Sequence, residues 1–128
     1  MSRAQNGIRE SQKYKKMEDL IYKLRTFAKE RDWEQFHSPK NLTMALSVEV
    51  SEIVELFQWM TEEQSKKLSP EKVEKLKEEI GDVMIYLTKL ANKFGIDPVD
   101  AARKKLEINE KKYPAGVVKG KAEKYDEY

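Results

Sequence analysis

The sequence predicts an all-α fold, a helical bundle of four main helices, on three observations. Hydrophobic residues recur at helical spacing, Ser-Pro and Asp-Pro pairs stand where helices would begin, and no stretch alternates as a half-buried strand does. A length of 128 residues suits one domain with a core of its own.

The first helix is expected from Met17, Leu20, Ile21, Leu24, Phe27 and Ala28, which keep one face to about Glu30. RDWEQFH interrupts that pattern and reads as a loop. Ser38-Pro39 then pairs a capping residue with a first-turn proline and opens a second helix reaching about Met60. A polar connection from Thr61 to Leu68 has room for a short helical turn. Ser69-Pro70 starts a third helix, with apolar positions at Val73, Leu76, Ile80, Val83, Leu87, Leu90 and Phe94, and Gly95 stops it. Asp97-Pro98 starts the fourth, which ends at Tyr113-Pro114. Residues 1–12 are expected to be flexible, 13–114 to form the domain, and the charged segment 115–128 to be a mobile tail.

Composition narrows the function classes. There is no cysteine, so disulfides and thiolate metal sites are excluded. The polar N-terminal MSRAQNGIRE has no apolar signal-peptide core, and no run is long enough to span a membrane; a cytoplasmic setting is expected. Lys and Arg total 25 against 23 Asp and Glu, a balance that argues against a dedicated nucleic-acid binder.

The stretch SVEVSEIVELFQW places carboxylates among residues that favour burial. At about 100° per residue, Leu42, Ala45, Leu46, Ile53 and Leu56 all lie within about 60° of Glu49. Glu49 therefore points into the apolar stripe. Glu52 borders it, and Glu55 turns toward water. In KEEIGDVMIYL, Glu79 and Asp82 share one side of the third helix, along the margin of its stripe, and Tyr86 continues that margin. Carboxylates three apart on a helix are commonly solvated or paired with lysine, and each pair alone reads that way. Two pairs at apolar stripes on antiparallel neighbours would instead converge, and four carboxylates in a small volume require a cation. An all-oxygen set suits Mg²⁺ or Mn²⁺. A di-iron centre would want Glu-x-x-His, and the single histidine, His37, has no such spacing.

Glu49-x-x-Glu52 followed by Glu79-x-x-Asp82 resembles the signature of the MazG-like all-α nucleoside triphosphate pyrophosphohydrolases. RDWEQFHSPKNL, ALSVEVSEIVELFQW, EEIGDVMIYL and KLEINEKKYP resemble the dCTP pyrophosphatase branch, and the likeness spans about residues 17–114. The resemblance implies Mg²⁺-dependent hydrolysis of a nucleoside triphosphate, dCTP or a related or modified dNTP, to the monophosphate and pyrophosphate. It assigns metal binding and catalysis to Glu49, Glu52, Glu79 and Asp82, with Glu52 a choice for general base.

The same resemblance implies a nucleoside pocket at Trp33, Trp59 and Tyr86, with Asp32 and His37 as edge contacts. Taken alone, Trp33 and Trp59 read as core or interface anchors. Leu24 stands where some dCTP-preferring relatives carry a polar residue. Lys105, Asn109 and Lys112 share one stripe of the fourth helix and, with Tyr113, match a segment that implies phosphate contacts; alone, these lysines read as a solvated face. Met84 and Ile85 lie away from the core-facing set of the third helix, so a single layer of helices leaves hydrophobes uncovered. Relatives form dimers or dimers of dimers, which makes a homo-oligomer, a tetramer, the expected assembly. A non-catalytic helical module binding a nucleotide or a protein is the alternative function.

Overall fold

The structure is a computed structural model that describes the backbone of residues 3–120 and the side chains of residues 16–120. The chain runs α1 (Arg3–Glu30), a 3₁₀ turn (Glu34–Phe36), α2 (Pro39–Phe57), α3 (Glu62–Ser65), α4 (Pro70–Lys93), α5 (Pro98–Lys112) and α6 (Ala115–Val118). Among the described residues there is no strand, and the fold is the expected all-α one with four long helices. None of these helices is long and apolar enough to cross a membrane.

Helix starts follow the local chemistry. Ser38 and Ser69 each accept a hydrogen bond from a backbone N–H in the first turn, that of Asn41 at 3.1 Å and that of Lys72 at 3.3 Å. Thr61 and Gln64 form a reciprocal capping box that makes the four-residue α3. The Asp97 carboxylate accepts from the N–H groups of Val99 and Asp100 at 2.8 and 3.3 Å, opening α5. Gly95 takes φ +65° while the Ile96 N–H donates back to the Ala91 carbonyl, a left-handed stop for α4.

Three boundaries differ from the sequence reading. The first helix begins at Arg3, not near Met17, because polar helix formers extend a helix without adding to its apolar stripe. The second ends at Phe57, slightly short of Met60. Ala115–Val118 forms a short helix that the sequence reading did not place, and the expected flexibility of the termini bears also on residues 1, 2 and 121–128, which lie outside the described residues.

The central pair is α2 and α4. Glu55, Leu56, Trp59 and Met60 line one groove with Ser69 and Lys72, so the end of α2 lies beside the start of α4 and the two run antiparallel. α1 packs on α4 more locally, and α5 only briefly. The buried residues among those described are few: Ala28, Leu42 and Ala91, with the polar Glu79 and Thr88. The α4 stripe is only partly inward. Val73, Ile80, Leu87 and Phe94, spaced seven apart, are exposed, whereas Met84 and Ile85 are half-buried. α4 is apolar over a wider arc than α2 covers, and the single chain leaves the remainder open.

Replacing Gly95 by Ala places a side chain at a left-handed φ with no steric neighbour, so the penalty is conformational alone. Chemical denaturation of Gly95→Ala is expected to show a loss of about 1 kcal/mol with an unchanged far-UV CD spectrum.

Candidate active site

α2 contributes Glu49 and Glu52, and α4 contributes Glu79 and Asp82. One oxygen from each carboxylate lies within 4.8 Å of the others. The helical period explains the convergence: residues three apart share a face, and the antiparallel pairing turns the two faces toward one another. Glu79, placed by its sequence position at the margin of a stripe, is in fact buried, at 3% exposure. Oε2 of Glu49 and Oε2 of Glu79 are both sealed from water without a hydrogen-bond partner. Glu55 faces solvent, as its angular position requires.

Charge at this seam is only partly offset. Lys75 Nζ lies 3.0 Å from Glu79 Oε1 and is the one cation that ion-pairs with the cluster among the described residues. Hydrogen bonding to Glu79, then to Glu49, reinforced by their nearby charges, pushes the Glu52 carboxyl up to about 7. Glu79 is held below the ordinary carboxylate value by its hydrogen bond with Glu52 and then by Lys75. Within the pair, the proton is favoured on Glu52 and the negative charge on Glu79. Four convergent carboxylates with two orphaned buried oxygens fit a hard divalent cation.

A second feature adjoins α4. The Asp32 backbone adopts φ +54° and the Trp33 N–H donates to the Ala28 carbonyl at 2.9 Å, so α1 ends sharply and the chain turns back along α4. This turn sets His37 into a cavity of about 300 Å³ between α1, the 3₁₀ turn and α4. Leu24 and Ala28 supply apolar wall, and Arg25, Lys89 and Lys93 supply cations against the single carboxylate of Glu34. The Thr88 hydroxyl, on a residue 1% exposed, has no partner there. Arg25 donates to the Asn92 side-chain carbonyl at 3.1 Å and ties α1 to α4. Burial, then the charges of Lys89 and Lys93, hold His37 below its ordinary value of 6.5.

The remaining residues singled out from sequence are dispersed. Trp33 is 45% exposed and meets Phe27 edge-on at 5.7 Å. The Asp32 carboxylate accepts from the Gln35 amide at 3.1 Å and serves the turn. Tyr86 lies under the Lys89 ammonium, 5.5 Å from its ring centre. Trp59 is 89% exposed at the far end of α2, in the groove with Met60 and Lys72. Lys105, Asn109, Lys112 and Tyr113, on and just after α5, line neither the carboxylate cluster nor either concavity. Sequence reasoning passed over Lys75 and Thr88. The first carries a weak signal, one turn before Glu79; the second is only a polar residue inside the run MIYLTKLA.

An antiparallel helix pair that faces two acidic motifs across its seam defines an all-α acidic-centre protein, and comparison with known proteins identifies its lineage. Residues 44–128 match the MazG-like family, and the chain belongs to that family. It is 43% identical over 113 residues to human dCTP pyrophosphatase 1, covering 87% of this chain and 66% of that protein. The bovine dCTP pyrophosphatase 1 is 42% identical over 111 residues, covering 85% and 66%. The chain therefore spans just under two thirds of the length of these relatives. A crystal structure of a pyrophosphatase from Archaeoglobus fulgidus superposes with a TM-score of 0.68 at 41% identity, covering 77% of this chain and 92% of that one.

Because His37 is the only histidine, its imidazole gives a single NMR resonance to titrate. A lowered value in the fold means that the neutral ring is favoured there, so stability is full above 6.5 and is lost as pH falls below it. The resonance is expected to titrate with a midpoint below 6.5, and Lys89→Met to move that midpoint upward.

Proposed function

We propose that this protein is a Mg²⁺-dependent nucleoside triphosphate pyrophosphohydrolase. It cleaves dCTP, or a related or modified dNTP, between the α and β phosphates to give the monophosphate and pyrophosphate. The observation that carries this reading is the seam of four carboxylates with two sealed, unpartnered oxygens, in a chain similar to dCTP pyrophosphatases.

Glu49, Glu79 and Asp82 hold the cation, with Glu52 beside them. Mg²⁺ bound there would supply charge compensation for the triphosphate and acidify a water molecule. Glu52, a stronger base than an ordinary carboxylate once it has released its own proton in the field of a bound cation, would be suited to take the proton from the attacking water as general base. Mn²⁺ offers the same hard, oxygen-seeking chemistry and is expected to substitute.

The nucleoside half of the substrate is assigned to the region of Trp33, His37 and Tyr86. The cavity beside His37 supports this, since it joins apolar wall to polar groups as base recognition requires. Asp32 reaches the base only through the turn it shapes. Trp59, exposed on the opposite end of α2, is assigned to the site of a second copy, and Lys105, Asn109, Lys112 and Tyr113 to phosphate contacts made in the assembly. The exposed residues Val73, Ile80, Leu87 and Phe94 on α4, with Met44, Val48 and Val54 on α2, support a homo-oligomer, a dimer of dimers. A cytoplasmic setting, where nucleotide pools are held, suits this activity, and no nucleic acid or membrane is required as partner.

Incubation with each canonical dNTP and NTP and with 5-substituted dCTP analogues, in Mg²⁺ or EDTA, tests the reaction. Monophosphate and pyrophosphate should appear only with metal. Glu49→Gln and Asp82→Asn should each lower turnover by a factor of about 100 or more while keeping the helical CD signal. A folded protein that hydrolyses nothing in the panel would support the non-catalytic binding module instead. In light scattering, the wild type should exceed the mass of one chain, and Ile80→Asp should shift it toward a smaller species.

A further inference from the structure

We infer that Lys75 is a positioning residue for the carboxylate cluster: it takes one oxygen of Glu79 and leaves the other to the cation. The inference rests on the metal-binding reading of the cluster given above.

The ion pair is asymmetric. The Lys75 side chain is 56% exposed, while that of Glu79 is 4% exposed, and Nζ reaches Oε1 at 3.0 Å. The ammonium thus extends from solvent along the helix to a carboxylate that water barely touches. The other three lysine–carboxylate pairs one turn apart, Lys66–Glu63, Lys77–Glu74 and Lys104–Asp100, have both ends in solvent, the second on the same helix. Helix stabilisation does not explain the Lys75 pair either. Lysine preceding glutamate by four residues is the less favourable order along the helix dipole.

What distinguishes Glu79 is that its two oxygens have different fates. Oε1 is neutralised by Lys75, whereas Oε2 is sealed from water with no partner. A buried carboxylate oxygen left in that state is costly unless a cation meets it. Lys75 therefore does what outer partners of metal-ligating carboxylates do: it fixes the rotamer and holds the charge in place while the ligating oxygen stays available. Glu49, the other carboxylate with an orphaned buried oxygen, has no such lysine among the described residues, so the two helices do not contribute equally to the order of the site.

Mn²⁺ binding to the full-length protein, followed by electron paramagnetic resonance and by calorimetry, tests this. Lys75→Met is expected to weaken binding by about tenfold or more, Lys75→Arg to restore most of it, and Lys77→Met to leave it unchanged. Turnover of Lys75→Met should recover as Mn²⁺ is raised, which separates loss of metal from loss of chemistry. If Lys75→Met misfolds by CD, Lys75→Gln, which keeps a donor without the charge, replaces it with the same expectation of weaker binding. Wild-type binding with equal or tighter binding by these variants would overturn the role of Lys75 alone. A wild type that binds no Mn²⁺ would overturn the metal reading, and this inference with it.

Discussion

Mutual repulsion among Glu49, Glu52, Glu79 and Asp82 is the constraint on which the rest of this structure depends. Four carboxylates meet across the α2–α4 seam, and one of them, Glu79, is buried. Nothing in the hydrophobic effect favours such an arrangement. It persists because the flanking helices are held together by other means and because the charge is eased locally, by the raised proton affinity of Glu52 and an ammonium against Glu79. A protein built only for stability would place hydrophobes there. The energetic burden of the seam is what makes it able to accept a cation.

Everything around the seam orients it. The caps at Ser38 and Ser69 start α2 and α4 at defined residues, and so set the register in which the two acidic motifs face each other. The left-handed residues Asp32 and Gly95 end α1 and α4 abruptly. The first folds the aromatic turn onto α4 and thereby encloses a cavity; the second lets α5 leave in a new direction. Burial in that cavity, and then its cations, which outnumber its one carboxylate, favour the neutral form of His37.

The all-α class, the helix starts and the four carboxylates were legible in the sequence because each depends on spacing within about one or two turns of helix. Glu49 could be placed inside an apolar stripe by angle alone. Glu79 could not be placed so well, since its burial comes from α2 lying over it, a property of the pair. The same limit explains the α4 stripe: periodicity shows that Val73, Ile80, Leu87 and Phe94 share a face, but not which neighbour covers it. The cavity was invisible for a stronger reason. It requires Arg25 and Asn92, 67 residues apart, to meet. The early start of α1 was missed because a polar helix has no periodic signal to read.

The placement of the two tryptophans has an optical consequence. Trp33 sits half-exposed on the turn after α1, and Trp59 stands nearly free at the end of α2. Neither belongs to the small buried core of Ala28, Leu42 and Ala91. Indole emission depends on the polarity of the immediate surroundings, so an isolated folded chain would fluoresce much like an unfolded one. The intrinsic fluorescence of this protein would therefore report whatever comes to cover Trp33 or Trp59, and would be a poor reporter of whether the core itself is intact.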